Sequence, residues 1–242
     1  IRYVKENRGT GRYIKGHITG PVTFAASIKD KDGRSALSYP DLTKAYAKAL
    51  SIKALWQVRA LEKTGKQPII FIDEPLLSCI GSGLLPIDSH EVTGVLNEVI
   101  DYVRQRSEAI TGIHCCGKTD WSMIMGSGVD IINFDAFTFQ ESLFLYSDHL
   151  KHFISKGGTI AWGIVPTGEF AGTADIDALY KRLMSGLNRL ISLGLDRELV
   201  YAASILTPAC GMGMMTEKAA EEVFELLSNL SKRMREDIKD AL

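Results

Sequence analysis

Short apolar runs alternate along this chain with longer stretches whose apolar residues recur at helical spacing. Pro68-Ile69-Ile70-Phe71-Ile72 is a continuous apolar run, the pattern of a strand buried on both faces. Ala109 to Cys116, Asp130 to Asp135, Thr159 to Val165 and Leu199 to Leu206 read the same way. Arg12 to Pro21 predicts an earlier strand that ends in a Gly20-Pro21 turn. Between them lie helical patterns. One opens at Pro40-Asp41 and runs through Thr64, with Gly65 just past its end. Another runs from Asp88-Ser89 to about Arg106, with Glu91 placed for a capping box. Asp120 caps a short helix through Met125, stopped by Gly126-Ser127-Gly128. Helices are also expected from about Ser142 to Lys156, from Ile176 to Leu193, and from Thr216 to the end. Lys29 to Arg34 and Gly81-Ser82-Gly83 read as loops.

Strict alternation of strand and helix gives an α/β protein with parallel strands and helices outside. A doubly wound sheet and a (β/α)8 TIM barrel compete. No Gly-x-Gly-x-x-Gly turn follows the first strand, which weakens the dinucleotide-binding version. Polar and metal-type residues stand instead at the C-terminal ends of several strands: Glu74, Cys116, Asp135 and Cys210. A barrel mouth needs that distribution. About six strand–helix units are legible. At roughly 35 residues per unit, about 70 residues of a full barrel are absent. The chain begins Ile1-Arg2-Tyr3 without a Met, so residues 1–242 are expected to form one (β/α) barrel domain lacking its first one or two βα units.

Composition adds exclusions. The 242 residues are 45% hydrophobic and 24% charged, with a formal net charge of −1. That is globular composition, and with no basic stripe nucleic acid is not an expected partner. No apolar run approaches the roughly 20 residues of a membrane span. The four cysteines include the adjacent pair Cys115-Cys116, a poor disulfide framework. Reduced thiols and a cytoplasmic setting are expected.

The candidate chemistry centres on Ile113-His114-Cys115-Cys116-Gly117. Side chains alternate along a strand, so His114 and Cys116 share one face and Cys115 turns the other way. A nitrogen and a sulfur ligand projecting together make half of a zinc site. Strand ends converge in a barrel, so Cys210 can join them, and Asp135 at the end of the next strand can supply a carboxylate. Zinc with an exchangeable position suggests Lewis acid chemistry rather than support of folding.

Four segments occur in order: Lys15-Gly16-His17-Ile18-Thr19-Gly20-Pro21-Val22-Thr23, Ile72-Asp73-Glu74-Pro75, His114-x-Cys116 and Pro208-x-Cys210-Gly211. Together they resemble the catalytic domain of cobalamin-independent methionine synthase, in the superfamily that also holds uroporphyrinogen decarboxylase and the methylcobamide:coenzyme M methyltransferases. The resemblance implies zinc-dependent methyl transfer to a thiol, homocysteine by preference, giving methionine. It implies zinc ligands His114, Cys116 and Cys210, with Asp135 in the place of the family's Glu ligand. It also implies that Asp73 holds the amino group of homocysteine. Asp73 and Glu74 are the candidate catalytic carboxylates. Asp73 and His17 are the candidate substrate contacts, although His17 also reads as a core His.

The sequence departs from that family at one informative place. Its methionine synthases carry a His after the strand that here reads Trp162-Gly163-Ile164-Val165-Pro166-Thr167. None stands there, which favours a methylcorrinoid, and hence a corrinoid protein as partner, over methyltetrahydrofolate as donor. The alternatives are a uroporphyrinogen decarboxylase-like lyase, a coenzyme M-type methyltransferase and a non-catalytic zinc-binding barrel. Cys115, Trp121, Trp162, Met212, Met214 and Met215 are expected to pack, His149 and His152 to face solvent, and Cys79 to have no role.

Overall fold

The computed structural model describes residues 1–6, 9, 11–80, 85–168 and 174–241. The expected loop Gly81-Ser82-Gly83 lies outside them. The six strands form one sheet in the order of the chain, β1-β2-β3-β4-β5-β6, with no reversal. The chain divides into two compact units, residues 1–115 with 119–132, and residues 116–118 with 133–242.

In the first unit, helix α1 (Arg2–Glu6) precedes β1 (Tyr13–Thr19). Gly20-Pro21 does not simply turn the chain. Pro21 opens a short helix, α2 (Pro21–Ser27), because a proline at the first helical position needs no N–H partner. Helix α3 (Pro40–Glu62) buries Thr43, Ala47, Leu50, Ser51, Ala54 and Val58, one stripe at helical spacing. Strand β2 (Gln67–Asp73) follows, then α4 (Ser89–Arg104). Asp88 and Glu91 form the expected capping box at the start of α4. Strand β3 (Ile110–Cys115) and helix α5 (Trp121–Gly126) complete the unit, and Asp120 caps α5 through the Ser122 and Met123 amides.

Strands β1 and β2 pair in parallel from Tyr13↔Gln67 to Thr19↔Asp73, and β2 pairs with β3 from Ile69↔Ile110 to Asp73↔His114. A Cβ on Gly16 would come within 2.6 Å of Gln57 and 3.1 Å of Leu61, so Gly16 abuts α3. Its alternates Lys15, His17 and Thr19 therefore stand on the opposite face of β1. Register puts Phe71, Asp73 and His114 on that same face.

Strand β4 (Ile131–Phe134) has its first two residues in the first unit and its last two in the second. The second unit continues with α6 (Ala136–Leu143), α7 (Ser147–Ser155), β5 (Thr159–Val165), α8 (Ile176–Ser192), α9 (Arg197–Ala202), β6 (Ser204–Pro208) and α10 (Glu217–Ala241). Strands β5 and β6 are parallel.

Two secondary-structure expectations are corrected in this unit. The helix predicted from Ser142 to Lys156 begins earlier, at Ala136, and is two helices joined by a 3-10 turn at Phe144–Tyr146. Phe139 leaves helical geometry (φ −118°, ψ 22°) inside α6. The strand predicted from Leu199 starts only at Ser204. Asp196 caps α9 by accepting from the Leu199 amide at 3.1 Å, and that cap overrides the strand propensity of Leu199, Val200 and Tyr201.

Cys115, Trp121 and Trp162 are fully buried, as packing residues should be. His149 and His152 are exposed on α7. Met214 is also fully exposed rather than part of the core, because it sits in the loop beyond β6.

Candidate metal centre

The end of β3 is built by alternation. Ile113 and Cys115 are fully buried on the helix-facing side, which leaves His114 on the other face beside Asp73. The Glu74 amide donates to the His114 carbonyl at 2.8 Å, so the β2 and β3 ends are tied beyond the last register pair. Cys116 follows β3 directly, in the bend that ends the strand.

Cys210 is set by the end of β6. The Ala209 amide donates to the Val165 carbonyl at 2.8 Å, one residue before Cys210. The β5–β6 register shifts between Gly163 and Val165. A Cβ on Gly163 would meet the Phe134 carbonyl at 2.4 Å and the Ala209 Cα at 2.9 Å, so the backbones on either side close on it directly. Buried Asn133 donates to the Ala161 carbonyl at 2.8 Å and to the Thr207 hydroxyl at 3.0 Å, bracing β4, β5 and β6 together.

The ligand atoms of His114, Cys116 and Cys210 all lie within 4.8 Å of one another, and all three residues are half-buried. In a tetrahedral zinc site with Zn–S near 2.3 Å, ligand atoms stand about 3.8 Å apart. The separations, up to 4.8 Å, are of the order that a shared ion would need. One nitrogen and two sulfur donors are a set that suits zinc.

The chain matches no protein-family profile and no curated protein.

Asp135, expected as the fourth ligand, stands at the start of α6. It is the N-cap of α6, and its Oδ1 accepts from the Thr138 amide at 2.8 Å. Among the described residues the metal-competent group is His114, Cys116 and Cys210 without it. An Asp directly before an apolar helix is an N-cap signal that strand-end counting passes over.

Asp73 and Glu74 differ despite being adjacent. Asp73 is half-buried and on the His114 face. Glu74 is fully buried on the other side, accepting from the Val22 amide at 2.8 Å and the Thr23 amide at 2.8 Å. It thus holds the first turn of α2 against β2. Burial pushes its carboxyl up to about 7, against the lowering pull of the Thr23 hydroxyl and of the Val22 and Thr23 amides. His17 is exposed on β1, and its carbonyl accepts from Gln57 at 2.8 Å.

Two contributors were missed in the sequence. Asn133 looks like one polar residue in an apolar run. Lys15 looks like a surface residue of an edge strand, yet shares the face of His17 and Asp73. Strand parity from His17 was the signal that could have found it. Elsewhere, a groove lined by Ile205, Phe224, Leu227 and Met234 between β6 and α10 holds none of the expected site residues. Among the described residues no helix is long and apolar enough to cross a membrane.

Proposed function

We propose that this chain is a zinc-dependent S-methyltransferase that activates a thiol, homocysteine by preference, and converts it to a thioether. The observation that carries the reading is the gathering of His114, Cys116 and Cys210 ligand atoms within 4.8 Å from positions 94 residues apart, between 116 and 210. Zinc held there would strip the proton from a substrate thiol and present its sulfur as a nucleophile, which a free thiol with pKa near 8.5 does poorly at neutral pH.

The residues then divide the work. With zinc bound, Cys116 and Cys210 as thiolates and His114 as a neutral imidazole would hold it, and such an electron-rich set would favour reactivity of a bound sulfur over tight inert binding. Asp73, next to His114 in register, takes the ammonium of an amino-acid substrate and fixes its orientation. Glu74 supports the Gly20-Pro21 turn and α2 from below. The His-free Pro166-Thr167 end of β5 supports a donor that needs no protonation on leaving, a methylcorrinoid, over a methylfolate.

The reading includes a fold. A sheet whose order never reverses is the strand order of a (β/α)8 barrel, whereas a doubly wound sheet reverses at a switch point.

The test is zinc stoichiometry in purified wild type and in Cys116→Ser, Cys210→Ser and Cys115→Ser. The first two should lose most of their zinc while circular dichroism is unchanged, and the third should retain it. Full zinc retention in Cys116→Ser and Cys210→Ser would overturn the assignment.

A further inference from the structure

Helix α3 is apolar on two opposite sides. One side is the buried stripe that includes Thr43, Ala47, Ala54 and Val58, and the helix contacts β1, β2, α2 and α4. At about 100° per residue, the side farthest from that stripe carries Ala45, Ala49, Ile52 and Trp56, with Leu42 at its start. All five are exposed, Ile52 by 59% and Trp56 by 69%. The other two tryptophans, Trp121 and Trp162, are fully buried. A surface helix turns charged residues to this side, and a contiguous exposed apolar stripe that includes a Trp marks an interaction surface.

Spacing and size identify what fits it. The five positions recur at intervals of three, four, three and four residues, the seam of a two-helix coiled coil. A helix that lies on a lipid surface presents a broader apolar face. The seam also changes along its length, from small Ala45 and Ala49 to large Ile52 and Trp56. In an antiparallel pair of this same helix, Trp56 stands against the partner's Ala45 and Ile52 against the partner's Ala49, twice over by symmetry. Large side chains then fill the space that small ones leave. Parallel pairing would set Trp56 on its own copy and the alanines on theirs, a clash beside a void.

Charge selects the same arrangement. Lys48 and Lys53 are exposed on either flank of the seam. Parallel pairing sets Lys48 against the partner's Lys53 on both sides of the dimer. Antiparallel pairing instead lays their stems along the partner's Leu55 and the partner's Tyr46. It also brings Arg59, whose guanidinium meets Glu62 at 3.0 Å, to the end of the seam that carries the partner's exposed Asp41.

We propose that α3 is a self-association surface, on which two copies of this chain pair antiparallel about a two-fold axis at the level of Leu50 and Ser51. From Leu42 to Trp56 the seam is about 21 Å long, so the dimer belongs at the weak end of specific interfaces, with a Kd of roughly 1–10 μM. Nothing in this pairing depends on the metal reading.

Sedimentation velocity between about 1 and 100 μM protein, which brackets that Kd, is the test. Wild type should pass from monomer to dimer across the range, and its tryptophan emission should shift to the blue in step. Ala49→Glu places a carboxylate where the monomer is exposed to solvent. It should keep the circular dichroism and Tm of wild type and weaken association by more than about 100-fold. Ala45→Trp sets large against large and should weaken association about 10- to 100-fold. Adding Trp56→Ala to it exchanges the large and small positions and should restore the Kd to within about threefold of wild type. Wild type that stays monomeric throughout, or a dimer indifferent to Ala49→Glu, would overturn α3 as the surface. A double variant that associates no better than Ala45→Trp alone would overturn the antiparallel pairing. A monomer that binds phosphatidylserine vesicles with blue-shifted emission would overturn self-pairing and assign the stripe to lipid.

Discussion

Asp73 at the end of β2 is the register partner of His114 at the end of β3. A carboxylate and a metal-type imidazole therefore leave the sheet side by side and on one face. The account gives them separate roles, substrate ammonium and metal. Asp73→Asn should weaken homocysteine binding about 10- to 100-fold, the loss of a charge-assisted contact, with zinc content unchanged. Calorimetry with parallel metal analysis checks both halves, and loss of zinc in this variant would mean that the two roles are not separate.

Asp135 offers the complementary test. Its observed partner is the Thr138 amide at the start of α6. Asp135→Ala should lower stability by about 1 kcal/mol through the lost cap, and Asp135→Asn by less, with zinc retained in both. Denaturant unfolding and metal analysis decide it; zinc loss in Asp135→Asn would place the carboxylate in the metal shell.

Gly163 lies where the Phe134 and Ala209 backbones close in, and Ala209 is one residue before Cys210. Ala at this position would drive a methyl into the Phe134 carbonyl and the Ala209 backbone. Backbone on both sides leaves little room to relax, so Gly163→Ala should destabilise by about 1–3 kcal/mol and lower zinc affinity by displacing the chain before Cys210. A variant of wild-type stability and zinc affinity would show that the β5–β6 crossing does not position the thiolate.

Glu74 predicts a pH dependence. Its carboxyl is raised from 4.5 to about 7 by burial. A raised folded-state pKa means that the native state holds the proton more tightly than the unfolded chain. Stability from this group is therefore complete below pH 4.5 and is lost as the pH rises to about 7, by up to roughly 3 kcal/mol. Glu74→Gln should flatten that part of the stability–pH curve. It should also be destabilised by about 1–3 kcal/mol at low pH, because the Gln amide nitrogen cannot accept from a backbone N–H as the hydroxyl oxygen of the protonated carboxyl can. Denaturant melts at pH 5 and pH 8 on both proteins measure the difference.

The alternation of β1 to β5 with their helices was legible because buried parallel strands and amphipathic helices write different periods into the chain. The Asp88–Glu91 box and the Asp120 cap were legible because capping is a local exchange of hydrogen bonds. Strand parity separated Cys115 from His114 for the same local reason. What escaped depends on competition or on distance. Asp196 turned the beginning of an apolar run into α9, and Asp135 was taken up by the Thr138 amide. The contact of Lys15 with Phe71 joins two strands, which no window of sequence displays.

The central claim is that His114, Cys116 and Cys210 hold a zinc ion with a position open to a substrate thiol. Zinc-edge X-ray absorption, before and after adding homocysteine, addresses it most directly. The account predicts a shell with two sulfurs from the protein that gains one more sulfur on addition of the thiol. A zinc shell unchanged by homocysteine, or a protein that takes up no zinc, would contradict it.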